Sequence, residues 1–500
     1  MNFTTASFAV LLTVVFVLHW SLRTVRSRNV LLLVASYFFY GWWDVRFLAL
    51  MWATGTIDWA VAAMLDRTGS PGARKRLLCV SLGCNLTVLG AFKYFNFFAD
   101  SLVSVGAFFG VEISPVTIHV ILPVGISFYT FQAMAYVIDV YRREIRACRD
   151  YLDFLTFVAY FPQLVAGPIE RAGHLLPQIR NPRVFDAALA RDGLREMLWG
   201  FFKKMVVAES LALVADHVYA SPGTASGPSL VIGTVAFSLQ IYCDFSAYSS
   251  IARGASALLG VRLSRNFLYP YFSRSMTEFW RRWHVSLSSW FRDYLYIPLG
   301  GGRVGMARRV FNVMAVFLIS GLWHGASWNY VAWGGLNGLL VLPAILGLSK
   351  GGSLRPEGAP RTPLMVLGDF ARIVGVFVAT CACWVFFRSP TLHDAIHVFG
   401  KIATDSWSVQ SWREAWAHVG ELSPWRGGTG SALAMVLEWL TRGWGVVVVL
   451  VEWFTRGREH PLQAIARWPT AVRWLIYGVL VWCVLVWGMN ASSAFIYFRF

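Results

Sequence analysis

Histidine is the side chain best suited to move a proton near neutral pH, and of the ten in this 500-residue chain one has an unusual address. His324 lies in GLWHGASW (321–328), within an uncharged run over 310–349 and fifteen positions after Arg309. If that run is helical, a rise of about 1.5 Å per residue carries the imidazole roughly 22 Å from the arginine, deep in apolar surroundings. Desolvation there disfavours imidazolium, so the ring stays neutral and able to take a proton from a hydroxyl. The same position would suit a histidine that only hydrogen-bonds a neighbouring helix, and placement alone leaves the two readings even. Gly321, Gly325 and Ala326 beside it would admit either a substrate chain or a second helix at close range.

A second cluster lies in FWRRWHVSLSSWFRDYLYIPLGG (279–301), where charges and aromatic rings alternate too closely for a lipid-facing helix or a flexible loop. It reads as a re-entrant or interfacial element, because irregular polar backbone is tolerated at membrane depth only when packed in protein. Arg281 and Arg282, with Trp283 beside them, could meet the phosphates of a nucleotide-like donor, and His284 follows directly. The plainer alternative is a cytoplasmic-surface helix with an aromatic belt. His19, His119, His174, His217, His418 and His460 fall at segment ends or in loops and are expected to be interfacial or solvated. His393 and His397 are four apart, a spacing for two metal ligands on one helix face, but no third ligand follows and an exposed amphipathic helix is the better reading. No metal site is expected. The seven cysteines are scattered through apolar segments and suggest neither disulfides nor zinc. GxSxG, GxxxxGK[ST], HExxH and a strand-borne GxGxxG are all absent, which removes support for serine hydrolysis, nucleotide-driven pumping and zinc proteolysis.

The elements that must hold these groups follow from composition. Hydrophobic residues make up 56% and charged ones 14%, where a soluble domain carries roughly 25% charge. Uncharged runs over 3–22, 113–138, 217–243, 310–349 and 474–498 are near or above the length of about 20 residues that crosses a bilayer. With shorter segments near 30–43, 47–65, 77–99, 154–169, 373–387 and 432–451, about eleven or twelve crossings are expected, making an all-α polytopic membrane protein. The net charge of +17 would suggest nucleic acid in a soluble protein. Here the basic residues collect in short loops, around 23–28, 67–76, 142–149 and 303–309, so the positive-inside rule is the better account and no nucleic acid is expected. The first run lacks a basic flank and a cleavage site, so it reads as a retained helix with its N-terminus outside. The Gly/Pro/Ser-rich stretches at 221–229 and 349–363 are loops, the second cytoplasmic. The polar region over 388–431 is too short to fold alone.

The chain resembles the membrane-bound O-acyltransferase family, and within it the bacterial alginate O-acetyltransferase branch. The likeness rests on RNVLLLVASYFFYGWWDVRF (28–47), ILPVGISFYTFQAMAYVIDVYR (121–142), FPQLVAGPIERAGHLLPQI (161–179), IYCDFSAYSSIARG (241–254), the two histidine segments and AFIYFRF (494–500). It departs from the family pattern at Ser250, where an acidic residue would be expected, and at Cys243, which replaces an aromatic.

The resemblance implies a ring of helices with re-entrant elements around a central pore, forming one acyltransferase domain over 1–500. Within it, 1–110 would be peripheral, about 121–348 the catalytic core, and 366–500 the C-terminal helices and tail. It implies His324 as the intramembrane catalytic histidine, His284 as the second, cytoplasm-side one, and a multi-pass location in the bacterial inner membrane. The expected activity is transfer of an acetyl group from a cytoplasmic thioester, acetyl-CoA, for O-acetylation of an exported polysaccharide such as alginate. No tightly bound cofactor is implied, and a periplasmic partner of the SGNH-hydrolase type would make the final ester. The tail resembles the C-terminal motif of the small companion peptide of teichoic-acid D-alanylation. That makes Tyr497 a candidate acyl carrier, against the plainer reading of an aromatic interface anchor. D-alanyl or other acyl transfer to a cell-wall polymer, and a non-catalytic polysaccharide or lipid transporter, are the alternatives.

Overall fold

In the computed structural model, residues 1–114, 116–118, 121–165, 167–348, 363–405, 407–421 and 432–488 are described. Tyr497, His119 and the loop arginines Arg355 and Arg361 lie outside them. Every regular element among the described residues is helical, and the chain divides into two compact units, Met1–Leu194 with Ala252–Arg265, and Arg195–Ile251 with the residues from Asn266 onward.

The first unit is built from α1 (Ala6–Ser21), α2 (Val25–Gly41), α3 (Arg46–Arg67), α4 (Pro71–Leu89), α5 (Phe95–Phe108), α6 (Ile126–Arg142), α7 (Tyr151–Ala159), α8 (Phe161–Leu164) and α9 (Ala172–Arg180). Oxygen-bearing side chains start several of them. Thr5, Thr24 and Asp150 accept hydrogen bonds from the first-turn amides of α1, α2 and α7, and Pro71 opens α4, where its missing N–H costs nothing. The core helix is α6, buried on all sides from Ile126 to Val137. Arg74, placed by its sequence in a basic loop, is itself buried. Its guanidinium donates to the carbonyls of Leu65 and Thr68 at the end of α3 and of Val140 and Tyr141 at the end of α6. These are the carbonyls a helix terminus leaves without intrahelical partners, and a cation suits the negative ends of both dipoles.

The second unit holds the second half of α10 (Ala187–Phe202), then α11 (Glu209–Ala220) and most of α12 (Gly227–Leu258). Short α13 (Met276–Arg282) and α14 (Val285–Phe291) precede the long α15 (Met306–His324) and α16 (Trp328–Ile345). It continues with α17 (Pro363–Arg388), α18 (Leu392–Thr404), α19 (Val409–Glu421), α20 (Ala432–Thr455), α21 (Pro461–Ala464) and α22 (Thr470–Gly488). A wide π-helical turn over Lys203–Ala208 joins α10 to α11 and turns two consecutive lysines into the interior. Lys203 Nζ lies 2.7 Å from Ser246 Oγ and 3.4 Å from Glu452 Oε1, while Lys204 Nζ is 2.8 Å from Glu209 Oε1 and 3.0 Å from Asp244 Oδ1.

Among the described residues six helices are long and apolar enough to cross a membrane: Arg46–Arg67, Pro71–Phe108, Gly227–Leu258, Met306–His324, Pro363–Arg388 and Thr470–Gly488. Two more, Ala6–Ser21 and Gly443–Thr455, are apolar but shorter. Uncharged runs and helices do not coincide one for one, because hydropathy does not see breaks. The run over 217–243 is the end of α11, a loop and the start of α12. The segment near 154–169 is cut into α7 and α8, with Pro162 one residue into the second. Two histidines also differ from expectation. His19 and His460, expected to be interfacial or solvated, are 0% and 2% exposed, because His19 packs edge-on against Trp20 and His460 forms the N-terminal boundary of α21.

Candidate functional site

The segment containing the second cluster folds as α13, a break, α14 and a π-helical turn over Arg292–Tyr296. Ser275 opens α13 by accepting from Glu278 N. The break falls at His284, whose φ of 44° and ψ of 55° put it in the left-handed region. For a residue with a Cβ that conformation costs of order 1–3 kcal/mol and persists only where its surroundings impose it. The surroundings here are residues 266–268, which run beside the break. Leu268 N donates to Arg282 O at 2.9 Å, and Val285 N to Asn266 O at 2.9 Å. Ser286 N and Oγ donate to Asn266 Oδ1 at 3.3 and 2.8 Å.

His284 is 1% exposed, with the Phe245 ring of α12 4.7 Å away, edge-on. Burial, and after it the nearness of His324, hold the imidazole well below its ordinary pKa, so the neutral form is kept. Trp283 is fully buried, stacked on Phe279 at 5.5 Å and within 5.1 Å of Trp384.

His324 is the last residue of α15 and is 3% exposed. Over 310–345 the run is helical but is two helices, folded back at 325–327 and restarted by Ser327, whose Oγ accepts from Asn329 N. A second helix, not open space, fills the room beside the glycines. A Cβ on Gly321 would stand 2.2 Å from Tyr330 O, one on Gly334 2.2 Å from Phe317 O, and one on Gly325 2.2 Å from the Tyr330 ring. Rings of Trp333, Trp323 and Phe387 lie 4.8, 4.9 and 5.8 Å from the His324 imidazole, and Trp323 also lies 6.0 Å from that of His284. His324 Nδ1 is 2.7 Å from Ser320 O. A carbonyl only accepts, so Nδ1 carries a proton, and in the neutral ring the lone pair is then on Nε2.

Ser320 is also part of the wall of a cavity of about 250 Å³, enclosed chiefly by apolar side chains such as Leu287, Phe291 and Phe317. Arg281 and Arg292 line it too. The two adjacent arginines therefore part company: Arg282 pairs with Glu278 at 2.6 Å, whereas Arg281 reaches the cavity. Arg292 is held by Asp293 at 2.7 Å. The second unit thus gathers His284, His324, Arg281 and Trp283 around shared neighbours. His393 and His397 are exposed on α18, and among the described residues no group of three or more His, Cys, Asp or Glu side chains could hold a metal.

Sequence reading passed over Ser320, Trp333, Phe387 and Asn266, whose types carry no signal outside their packing. It also passed over Lys203 and Lys204, for which there was one: paired cations in FFKKMVVAESLAL (201–213) have no place in lipid unless neutralised.

The profile described as MBOAT, membrane-bound O-acyltransferase family, matches residues 142–347. The chain is 37% identical to the probable alginate O-acetylase AlgI of Pseudomonas putida, with all of both chains covered. It is 39% identical to that of Azotobacter vinelandii over 83% of this chain and 81% of the relative. With the peptidoglycan O-acetyltransferase of Helicobacter pylori it shares 33% identity, over 73% of this chain and 72% of the relative. The chain belongs to the membrane-bound O-acyltransferase family, and it is an all-α, multi-pass membrane acyltransferase.

Proposed function

We propose that this protein transfers an acetyl group from a cytoplasmic thioester, acetyl-CoA, for O-acetylation of an exported polysaccharide such as alginate. The observation that carries the reading is the hydrogen bond from buried His324 Nδ1 to the carbonyl of Ser320, a residue that lines a cavity together with Arg281. Nε2 takes the acceptor hydroxyl's proton as that oxygen bonds to the thioester carbonyl carbon. The C–S bond then breaks, the ester forms, and the proton passes from Nε2 to the departing thiolate. His284, buried and neutral, orients the donor or donates to the carbonyl oxygen as charge grows on it. Arg281 meets the donor's phosphates, for no carboxylate lies within ion-pairing distance of it among the described residues, while Arg282 is bound to Glu278. Trp283 supports the donor site from within the aromatic core.

In this reading the chain is one acyltransferase domain of the bacterial inner membrane. Its N-terminus faces the periplasm, residues about 121–348 form the catalytic core, and a periplasmic SGNH-type partner passes the acetyl group from this first ester onward to make the final one on the polymer. The likeness to a probable alginate O-acetylase and to a peptidoglycan O-acetyltransferase supports a polymer as final acceptor.

The test is purified protein in lipid with radiolabelled acetyl-CoA, following label to product. Loss of a general base costs about 10²- to 10⁴-fold, so His324→Ala should fall by at least the lower figure at wild-type abundance. Retention of more than about a tenth of the activity would remove His324 from the chemistry. Label transfer from a D-alanyl carrier but not from acetyl-CoA would favour a cell-wall D-alanyltransferase, and polymer movement without any thioester a transporter.

A further inference from the structure

His284 sits where a histidine does not sit unaided, and most of the bonds that keep it there converge on one residue. Asn266 is 1% exposed, in the stretch that leads from α12 to α13. Its backbone carbonyl takes the amide of Val285, and its Oδ1 takes both the amide and the hydroxyl of Ser286. Its Nδ2 donates to Ser249 Oγ at 3.3 Å. Ser249 lies one turn along α12 from Phe245, whose ring stands against the His284 imidazole. One amide group therefore ties the chain just after His284 to the turn of α12 that walls it. Without that tie the left-handed residue is free to relax toward the right-handed region, which swings its Cα–Cβ bond and turns the ring off Phe245.

We infer that Asn266 is a positioning residue, acting through His284 to hold its imidazole in the orientation acetyl transfer requires. The inference rests on the part assigned above to His284. Misplacement of a catalytic group by about 1 Å can cost 10²-fold, so the effect should be large for a residue that touches no substrate.

The test uses the full-length protein in lipid and the acetyl-transfer assay, with melting temperature and membrane abundance measured alongside. Asn266→Leu, similar in shape and without hydrogen bonds, should lower activity at least about tenfold. Asn266→Asp keeps the oxygen facing Ser286, and the Ser249 hydroxyl can turn to donate to the second oxygen; it should return to within about threefold of wild type. An Asn266→Leu protein within about twofold of wild type overturns the inference. So does an Asn266→Asp protein that melts normally yet is as impaired as Asn266→Leu. Should Asn266→Leu fail to accumulate, Ser286→Ala decides. It removes one bond to Oδ1 and should cost about threefold or more with melting within about 2 °C of wild type; unchanged activity is the contrary result. His284→Ala run in parallel separates the two claims. An active His284→Ala sinks the reading of His284 itself, whereas an inactive one beside a fully active Asn266→Leu removes only Asn266.

Discussion

Arg281 and Arg282 are neighbours in the chain, yet one lines the cavity and the other is bound to Glu278 one turn back. Successive residues of a helix point about 100° apart, so a pair of identical side chains is divided between two tasks by the helix itself. On the proposed mechanism His324 is the reverse, one residue with two tasks on its two nitrogens, Nδ1 to the backbone and Nε2 to the chemistry. At Tyr497 a single hydroxyl separates carrier from anchor. A phenol of pKa about 10 leaves more readily than a sugar hydroxyl, so its acetyl ester would retain transfer potential. Tyr497→Phe keeps the ring, and on the carrier reading polymer acetylation should fall to background at matched protein levels. Normal acetylation in that variant would leave Tyr497 as an anchor. His324 could be read from sequence because its oddity is one of address, an ionisable ring in an uncharged run. Asn266 could not, since a polar residue in RNFLYP (265–270) looks like any loop asparagine until its burial is known.

The hairpin of α15 and α16 fixes where His324 ends up, and its closeness rests on glycines facing backbone. Gly334 has no room for a methyl group, with Phe317 O in the way, whereas on Gly335 a Cβ would meet only Leu318 Cδ2 at 3.5 Å, an ordinary contact. Gly334→Ala should therefore part the helices, destabilise by about 1–3 kcal/mol or more and cut activity. Gly335→Ala should leave both near wild type. Thermal melting and acetyl transfer measured on the two proteins check this, and equal behaviour of the pair would show that the crossing does not govern the site. The glycines by the histidine were legible as a place of close approach. What approaches was not, because one sequence window cannot say whether ligand or helix fills a gap. Similarly, apolar runs announced helices but not their interruptions, which depend on local events such as the extended backbone at Gly325 and Pro162 at the start of α8.

The proposed orientation of the whole molecule rests on where its basic residues collect along the chain. On the proposed orientation the loops after α3 and α6 face the cytoplasm and the loop between α11 and α12 faces outward. Lys75, Glu144 and Thr224 are exposed in those loops or beside them. Single cysteines at these positions, in a background lacking the native seven, should divide under an impermeant thiol reagent applied to spheroplasts: Thr224→Cys labelled, Lys75→Cys and Glu144→Cys protected until the membrane is opened. Labelling of the latter two from outside would reverse the orientation and put the donor on the wrong face. The division into two units was not legible in the sequence. The first unit is completed by Ala252–Arg265, a segment returning from far along the chain, and nothing in its composition marks it as belonging there.

Arg74 gains its last partners late. Val140 and Tyr141 are made 66 and 67 residues after it, and at about 5–20 residues per second the ribosome needs roughly 3–13 s to supply them. For that interval the guanidinium lacks its partners on α6, and of the four carbonyls it binds in the finished chain only those of Leu65 and Thr68 have been made. Once α6 arrives the charge is sealed inside. On the proposed orientation the same arginine would be an orientation signal in the nascent chain, and in the finished one it is a structural clasp, two roles separated by time.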